Sequence, residues 1–152
     1  MIKHIQCDIF KSGADVICHQ VNCQGAMNSG IAKQVRTKYP WVYGEYKDFC
    51  QYYSPEDLLG LNLITWIDET HRIANLFGQE NFGYDGKCYT NYEELHNALE
   101  DLRFICDSET IAIPYLMGCH RGGGDWNVVY KMIEEVFADY NGDVLICEYN
   151  GG

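Results

Sequence analysis

Two apolar runs in this chain stop at glycine-bearing loops, and each loop passes at once into helical periodicity. The first run is "ADVICHQV" (14–21), followed by "NCQGAMNSG" (22–30) and then "IAKQV". The second is "TIAIPY" (110–115), followed by "GCHRGGGDW" (118–126) and then "NVVYKMIEEVF". Strand, flexible loop, helix is the repeating unit of sheets that carry helices on both faces. Ligands of such sheets bind beside the loops that leave the carboxyl ends of the strands.

The rest of the chain fits the same scheme. "IKHIQC" reads as a first strand, and the length of "ADVICHQV" suits a strand buried on both faces. "GIAKQVRTKY" reads as a helix stopped by Pro40, which then opens a second helix, "PWVYGEYKDFCQYY". "LNLITWI" and "RIANLF" predict a hairpin closed by "DETH". "FGYDGKCYT" is a loop turning at Asp85-Gly86. In the helix that follows, Asn91 and Glu94 have capping-box spacing, and Leu95, Leu99, Leu102 and Cys106 lie on one face. Asp125 is a candidate N-cap for a helix burying Val129, Met132, Ile133, Val136 and Phe137. "DVLICEY" closes the chain as a strand. No linker or repeat interrupts the 152 residues, so one domain, 1–152, is expected.

Charge narrows the partners. At a net charge of −11 the surface repels polyanions, so non-specific nucleic-acid binding and anionic-membrane binding are not expected. A small phosphate ligand held by backbone amides is a different matter. Glycines let a phosphate approach the unpaired N–H groups at a helix start, and the helix dipole favours the anion there. Two such loops can grip a pyrophosphate without a lysine; ordinary strand-to-helix turns are the plainer reading of each loop alone. Neither loop matches the Rossmann or Walker pattern. The eight cysteines form no C-x-x-C, and "MIKHIQCDIF" has no signal-peptide character. A cytoplasmic monomer with reduced thiols, no membrane association, no cofactor and no metal is the expectation. Cys18, His19, Cys23, Cys119 and His120 invite a zinc reading, but adjacent residues of a strand point to opposite faces, which separates Cys18 from His19.

Taken together and in order, "CDIF", "HQVNCQGAMNSGIAKQV", "NLFGQ" and "IPYLMGCHRGGGDWNVVYKMIEEVF" resemble the macrodomain family. The resemblance is greatest to the small stand-alone branch with terminal ADP-ribose protein glycohydrolase and yeast-type ADP-ribose 1''-phosphate phosphatase. It implies an α/β fold, a three-layer α/β/α sandwich with a central mixed sheet. It also implies a cleft for ADP-ribose, free or as a terminal modification of a macromolecule. By that resemblance Asp8 accepts a hydrogen bond from the adenine amino group and Ile9 supplies an amide. The first loop, through Asn22, Gln24, Met27, Asn28, Ser29, Gly30 and Ile31, surrounds the distal ribose and one phosphate. The second, through Met117, Gly118, Cys119, His120, Arg121, Gly122, Gly123 and Gly124, wraps the pyrophosphate.

The chain departs from this pattern in three places. Gln79, or Glu80 if the loop shifts, stands where the glycohydrolase branch carries a nucleophilic lysine, and Gly122 where it carries an aspartate. Asn28 replaces a glycine usual in the first loop; Asn tolerates positive φ, and its amide can narrow the ribose pocket. His120 and Arg121 replace small or apolar residues, and Arg121 is either a phosphate clamp or a solvated rim residue. His19 is the first candidate catalytic residue, as general base or acid, with a loop-holding ring as the other reading; His120, on the second loop, is the second candidate, with a surface histidine as the other reading. Asn22 is a candidate to orient water, Glu80 and Asp85 to activate it, and Phe82, Tyr84 and Tyr149 to stack on the ligand. Three functions follow: ADP-ribose recognition with possible hydrolysis of a derivative; hydrolysis of ADP-ribose 1''-phosphate or release of ADP-ribose from protein or nucleic acid through His19; and an interaction module that has lost ligand binding.

Overall fold

The computed structural model describes residues 1–150. Its strands are β1 (Ile2–Gln6), β2 (Val16–Val21), β3 (Asn62–Trp66), β4 (Arg72–Phe77), β5 (Ile111–Pro114) and β6 (Val144–Glu148). They form one sheet in the order β1-β6-β5-β2-β4-β3. Every neighbouring pair is parallel except β3 with β4, the expected hairpin. Its turn is closed by Ile67 N–H donating to His71 O, while the Asp68 carboxylate accepts from the Thr70 and His71 N–H groups.

The helices are α1 (Gly30–Lys38), α2 (Pro40–Tyr52), α3 (Pro55–Leu58), α4 (Tyr92–Cys106) and α5 (Trp126–Val136). Side-chain alternation along β2 sorts them into two layers. Val16 and Cys18 pack with Leu95, Leu99 and Leu102 of α4 and with Val129 and Ile133 of α5. Ile17 and Val21 pack with Val35 of α1 and with Val42 and Tyr46 of α2. The result is the α/β/α sandwich with a mixed sheet that the sequence suggests. β2 lies inside it, which is why the strand is buried along almost its whole length. No described helix is long and apolar enough to cross a membrane.

Two short elements escape the periodicity reading. One is α3, a single turn capped by Ser54; the other is a 3-10 turn, Ile9–Lys11, capped by Asp8. Neither is long enough for a 3.6-residue period to register. The capping box before α4 is only half made. Asn91 Oδ1 accepts from the Glu94 N–H at 3.1 Å, as expected. The Asn91 N–H, however, donates to Gly78 O, so Glu94 has nothing to reach back to and accepts from Asn97 instead. Asn91→Ala is therefore expected to cost about 1 kcal/mol in urea unfolding, and Glu94→Ala only a few tenths.

Candidate functional site

The parallel strands all end on one side of the sheet, and the segments leaving them enclose a cleft of about 490 Å³. Cys7, Asp8 and Ile9 enter it from β1, Glu148 to Asn150 from β6, and Tyr115 to Gly118 from β5. The end of β2 forms the middle, with His19, Gln20, Val21 and Asn22. This is the carboxyl-end crevice expected for an α/β sheet.

Asn22 organises the first loop. Its Oδ1 accepts from the Gln24 N–H at 2.9 Å and the Ala26 N–H at 3.4 Å, and its Nδ2 donates to Ala26 O at 2.9 Å. The Tyr46 hydroxyl lies 2.8 Å from the same Oδ1 and 2.7 Å from Asn22 O. The side chain expected to orient water or ribose is thus committed to its own loop. What the loop presents instead is the start of α1. Gly30 begins that helix at φ +58°, where a Cβ would have open space but a strained backbone. Ser29 sits at the N-cap position without capping. Among the described residues, the N–H groups of Gly30, Ile31 and Ala32 have no protein acceptor. All three residues line the cleft. By contrast, side chains cap α3, α4 and α5.

The second loop is built the same way by different means. Its carbonyls are tied down: Gly122 O accepts from the Tyr89 and Thr90 N–H groups, and Gly118 O from Thr90 Oγ1 and the Gly124 N–H. A Cβ on Gly122 would come within 2.6 Å of both Gly118 O and Thr90 Oγ1, so only glycine fits. The amides of Gly118, His120, Arg121 and Gly122 have no acceptor among the described residues and belong to cleft-lining positions. Leu116, just before, holds φ +64°, an unusual conformation for a bulky residue and the kind of strain that clusters at binding loops. No sequence signal marks it.

Asp8 plays two parts. Its Oδ1 accepts from the Phe10 N–H at 3.0 Å, capping the 3-10 turn; the other carboxylate oxygen has no partner among the described residues, and the residue lines the cleft. Glu148 is a second acid lining the cleft. Arg121 stacks on Tyr84 with its guanidinium carbon 4.5 Å from the ring centroid, and both residues line the cleft.

His19 is buried and neutral. Its Nε2 lies 2.7 Å from Asn75 Oδ1, and Asn75 Nδ2 donates to Leu63 O, which fixes the amide and makes Nε2 the donor. Nδ1 is left as a buried acceptor without a partner among the described residues. Burial pushes the imidazole down to about 4, outweighing the opposing effect of the Asn75 hydrogen bond. Cys18, its neighbour, faces the other layer, so the two cannot share one metal. Burial also pushes the thiols of Cys23 up to about 12 and of Cys119 to about 11, so neither is a thiolate at neutral pH.

Of the residues singled out from sequence, Asn28, Ser29, Gly30, Ile31, Gln79, Met117 and Arg121 line the cleft alongside those already placed. Gln24, Met27, Cys119, Gly123 and Gly124 do not. Gln24 donates outward to Glu80 O, and Met27 is packed into the core at 1% exposure. Cys119 turns its thiol to Met117 O, while Gly123 packs against Lys87 and Cys88. Asn28 does not need positive φ, which among non-glycine residues occurs only at Asp107 and Leu116 of those described; its amide accepts from Arg36. Gln79 is spent internally, accepting from Gln20 and donating to Asn81 O. Glu80 and Asp85 lie outside the lining; Asp85 accepts from Tyr89 and the Lys87 N–H. The sequence reading missed Gln20, whose Nε2 also donates to Thr90 and so ties the end of β2 to the segment that braces the second loop.

Comparison with known proteins places this geometry. No family model matches the chain. An ADP-ribose 1''-phosphate phosphatase of Debaryomyces hansenii is 35% identical over 72 residues, 42% of this chain and 40% of that protein. A DNA ADP-ribosyl glycohydrolase of Mycobacterium tuberculosis is 24% identical over 156 residues, 100% of this chain and 43% of that protein. The matches thus span less than half the length of these relatives. Among solved structures, the macrodomain of Mycobacterium tuberculosis DarG superposes with a TM-score of 0.81 at 22% identity, covering 97% of each chain. Thermosipho africanus DarTG in complex with ADP-ribose gives 0.77 at 18% identity, covering 96% of this chain and 41% of that one.

Burial of neutral His19 has a consequence for stability. The unfolded chain takes up a proton there near pH 6.5, the folded chain only near pH 4, so acidification through that window favours unfolding. The expected loss is about 3 kcal/mol. Urea unfolding from pH 7 to 4 should show a smaller loss in His19→Gln, by about that amount; identical profiles would mean that the imidazole protonates in the folded state.

Proposed function

We propose that this chain is a macrodomain and that it binds ADP-ribose, free or as a terminal modification, through backbone amides of its two loops. The observation that carries this reading is the pairing of two sets of unpartnered amides in one cleft. One is the uncapped start of α1 at Gly30, Ile31 and Ala32; the other is the second loop at Gly118, His120, Arg121 and Gly122. Paired N–H groups at a helix start and in a glycine-rich concavity suit a diphosphate. In this reading the uncommitted oxygen of Asp8 accepts from the adenine amino group, and the Ile9 amide donates to the base. Asn22 and Gln79 shape the site from behind. Tyr84 and Tyr149 flank it. The relatives that carry ADP-ribosyl and ADP-ribose names, and the ADP-ribose complex of a protein with this fold, support the ligand class. We take residues 1–152 as one domain that works as a cytoplasmic monomer.

A second reading makes the chain a hydrolase of an ADP-ribose derivative. His19 lines the cleft, and its buried Nδ1 has no partner among the described residues, which favours this reading once a ligand or water reaches that atom. A neutral imidazole can accept a proton from water or position it, though an imidazole protonating only near pH 4 is a weak base. Lysine-dependent glycohydrolysis has no support here, because Gln79 carries no amine and its amide is already bonded.

The reading is tested by calorimetric titration of wild type and Asp8→Asn with ADP-ribose and ribose 5-phosphate. Asn can keep the cap on Phe10 while removing the carboxylate. ADP-ribose should weaken by roughly tenfold and ribose 5-phosphate by less than about twofold. Equal weakening of both would show that Asp8 only holds its turn. Phosphate release from ADP-ribose 1''-phosphate, lost in His19→Ala with binding retained, would support the hydrolase reading.

A further inference from the structure

Arg121 is the only lysine or arginine among the residues lining the cleft. The chain holds 22 acidic residues, yet among the described residues no carboxylate lies within ion-pair distance of this guanidinium. It stacks instead on the ring of Tyr84. Stacking occupies the face of the guanidinium and leaves its edge N–H donors available, held in a fixed plane. A carboxylate partner would have consumed those donors and cancelled the charge.

The position of this pair follows from the topology. Arg121 is carried by the segment after β5 and Tyr84 by the segment after β4. β2 lies between those two strands, so the contact bridges the cleft over the end of β2. Asp8, after β1, lies towards the other edge of the sheet, two strands beyond β5. The cation and its platform therefore stand away from the end that receives the base. The loop amides already supply donors for a diphosphate, so the guanidinium is surplus to that task. A ligand bearing one more phosphate would be repelled by a chain of net charge −11 unless a cation met it locally.

We propose that Arg121, positioned by Tyr84, is a specificity residue for a phosphomonoester at the end of the ligand remote from the base. This rests on the ADP-ribose reading above and adds to it a preference for the phosphorylated ligand over the plain one. Arg121 supplies the bidentate donor pair; Tyr84 is a positioning residue that acts through Arg121.

The test is calorimetric titration of ADP-ribose and of ADP-ribose 1''-phosphate, with phosphate release followed in parallel so that hydrolysis is not read as weak binding. Arg121→Gln should weaken ADP-ribose 1''-phosphate by roughly 10- to 100-fold and ADP-ribose by less than about threefold. Tyr84→Leu should weaken the phosphorylated ligand by roughly three- to tenfold, whereas Tyr84→Phe, which keeps the platform, should match wild type. Both side chains are exposed, so thermal unfolding of the variants should be unchanged. Equal weakening of the two ligands by Arg121→Gln would assign the guanidinium to the shared diphosphate and overturn the proposal. No effect on either would make Arg121 a solvated rim residue and overturn it as well. Failure of wild type to bind either ligand would sink the ADP-ribose reading itself, a result separable from losses confined to the variants.

Discussion

The side-chain amide of Asn22 sets the shape of the first loop, and through it the direction in which α1 begins. Its oxygen gathers the Gln24 and Ala26 N–H groups while its nitrogen holds Ala26 O, so the chain doubles back immediately after β2. Tyr46 of α2 locks the same amide from the helical layer. With the turn fixed there, Gly30 can start α1 at the cleft in a backbone conformation that other residues resist. A hydrophobic side chain at 22 would leave the part-buried Gln24 and Ala26 N–H groups and Ala26 O without this partner, and the amide array at the helix start would lose its frame.

The cleft uses polarity without much charge. In a strongly acidic chain a cluster of lysines could have served an anionic ligand, but the groups gathered here are N–H dipoles, fixed before the ligand arrives. The second loop reaches the same end by immobilising the Gly118 and Gly122 carbonyls on Tyr89, Thr90 and Gly124, while the N–H groups of Gly118, His120, Arg121 and Gly122 keep no acceptor among the described residues. Gln20, bonded to Gln79 and Thr90, couples the floor of the cleft to that brace. Such preorganisation lowers the ordering cost of binding, and the charged Arg121 remains available for discrimination among related ligands.

Legibility in the sequence followed range. The near-continuous apolar runs of β2 and β5, the glycine loops and the amphipathic helices after them are local patterns, and each is in place. Asp125 caps α5 as its position suggested. What could not be read depends on partners far along the chain. His19 meets Asn75, 56 residues away, and only that contact and its burial reveal a neutral ring with one free nitrogen. Asn22 reads as a ligand group until Tyr46 is seen beside it, and Glu94 as half of a capping box until Gly78 takes the Asn91 N–H. The left-handed backbone of Leu116 has no signature at all, because the loop around it imposes the strain.

An uncharged grip on a diphosphate leaves little for salt to screen, so calorimetric titration with ADP-ribose at low and moderate ionic strength is the decisive measurement. One ligand should bind per chain, with affinity falling less than about threefold between the two conditions. No binding, or a loss of roughly tenfold or more with added salt, would contradict it, the second outcome by showing that cations and not amides hold the phosphates.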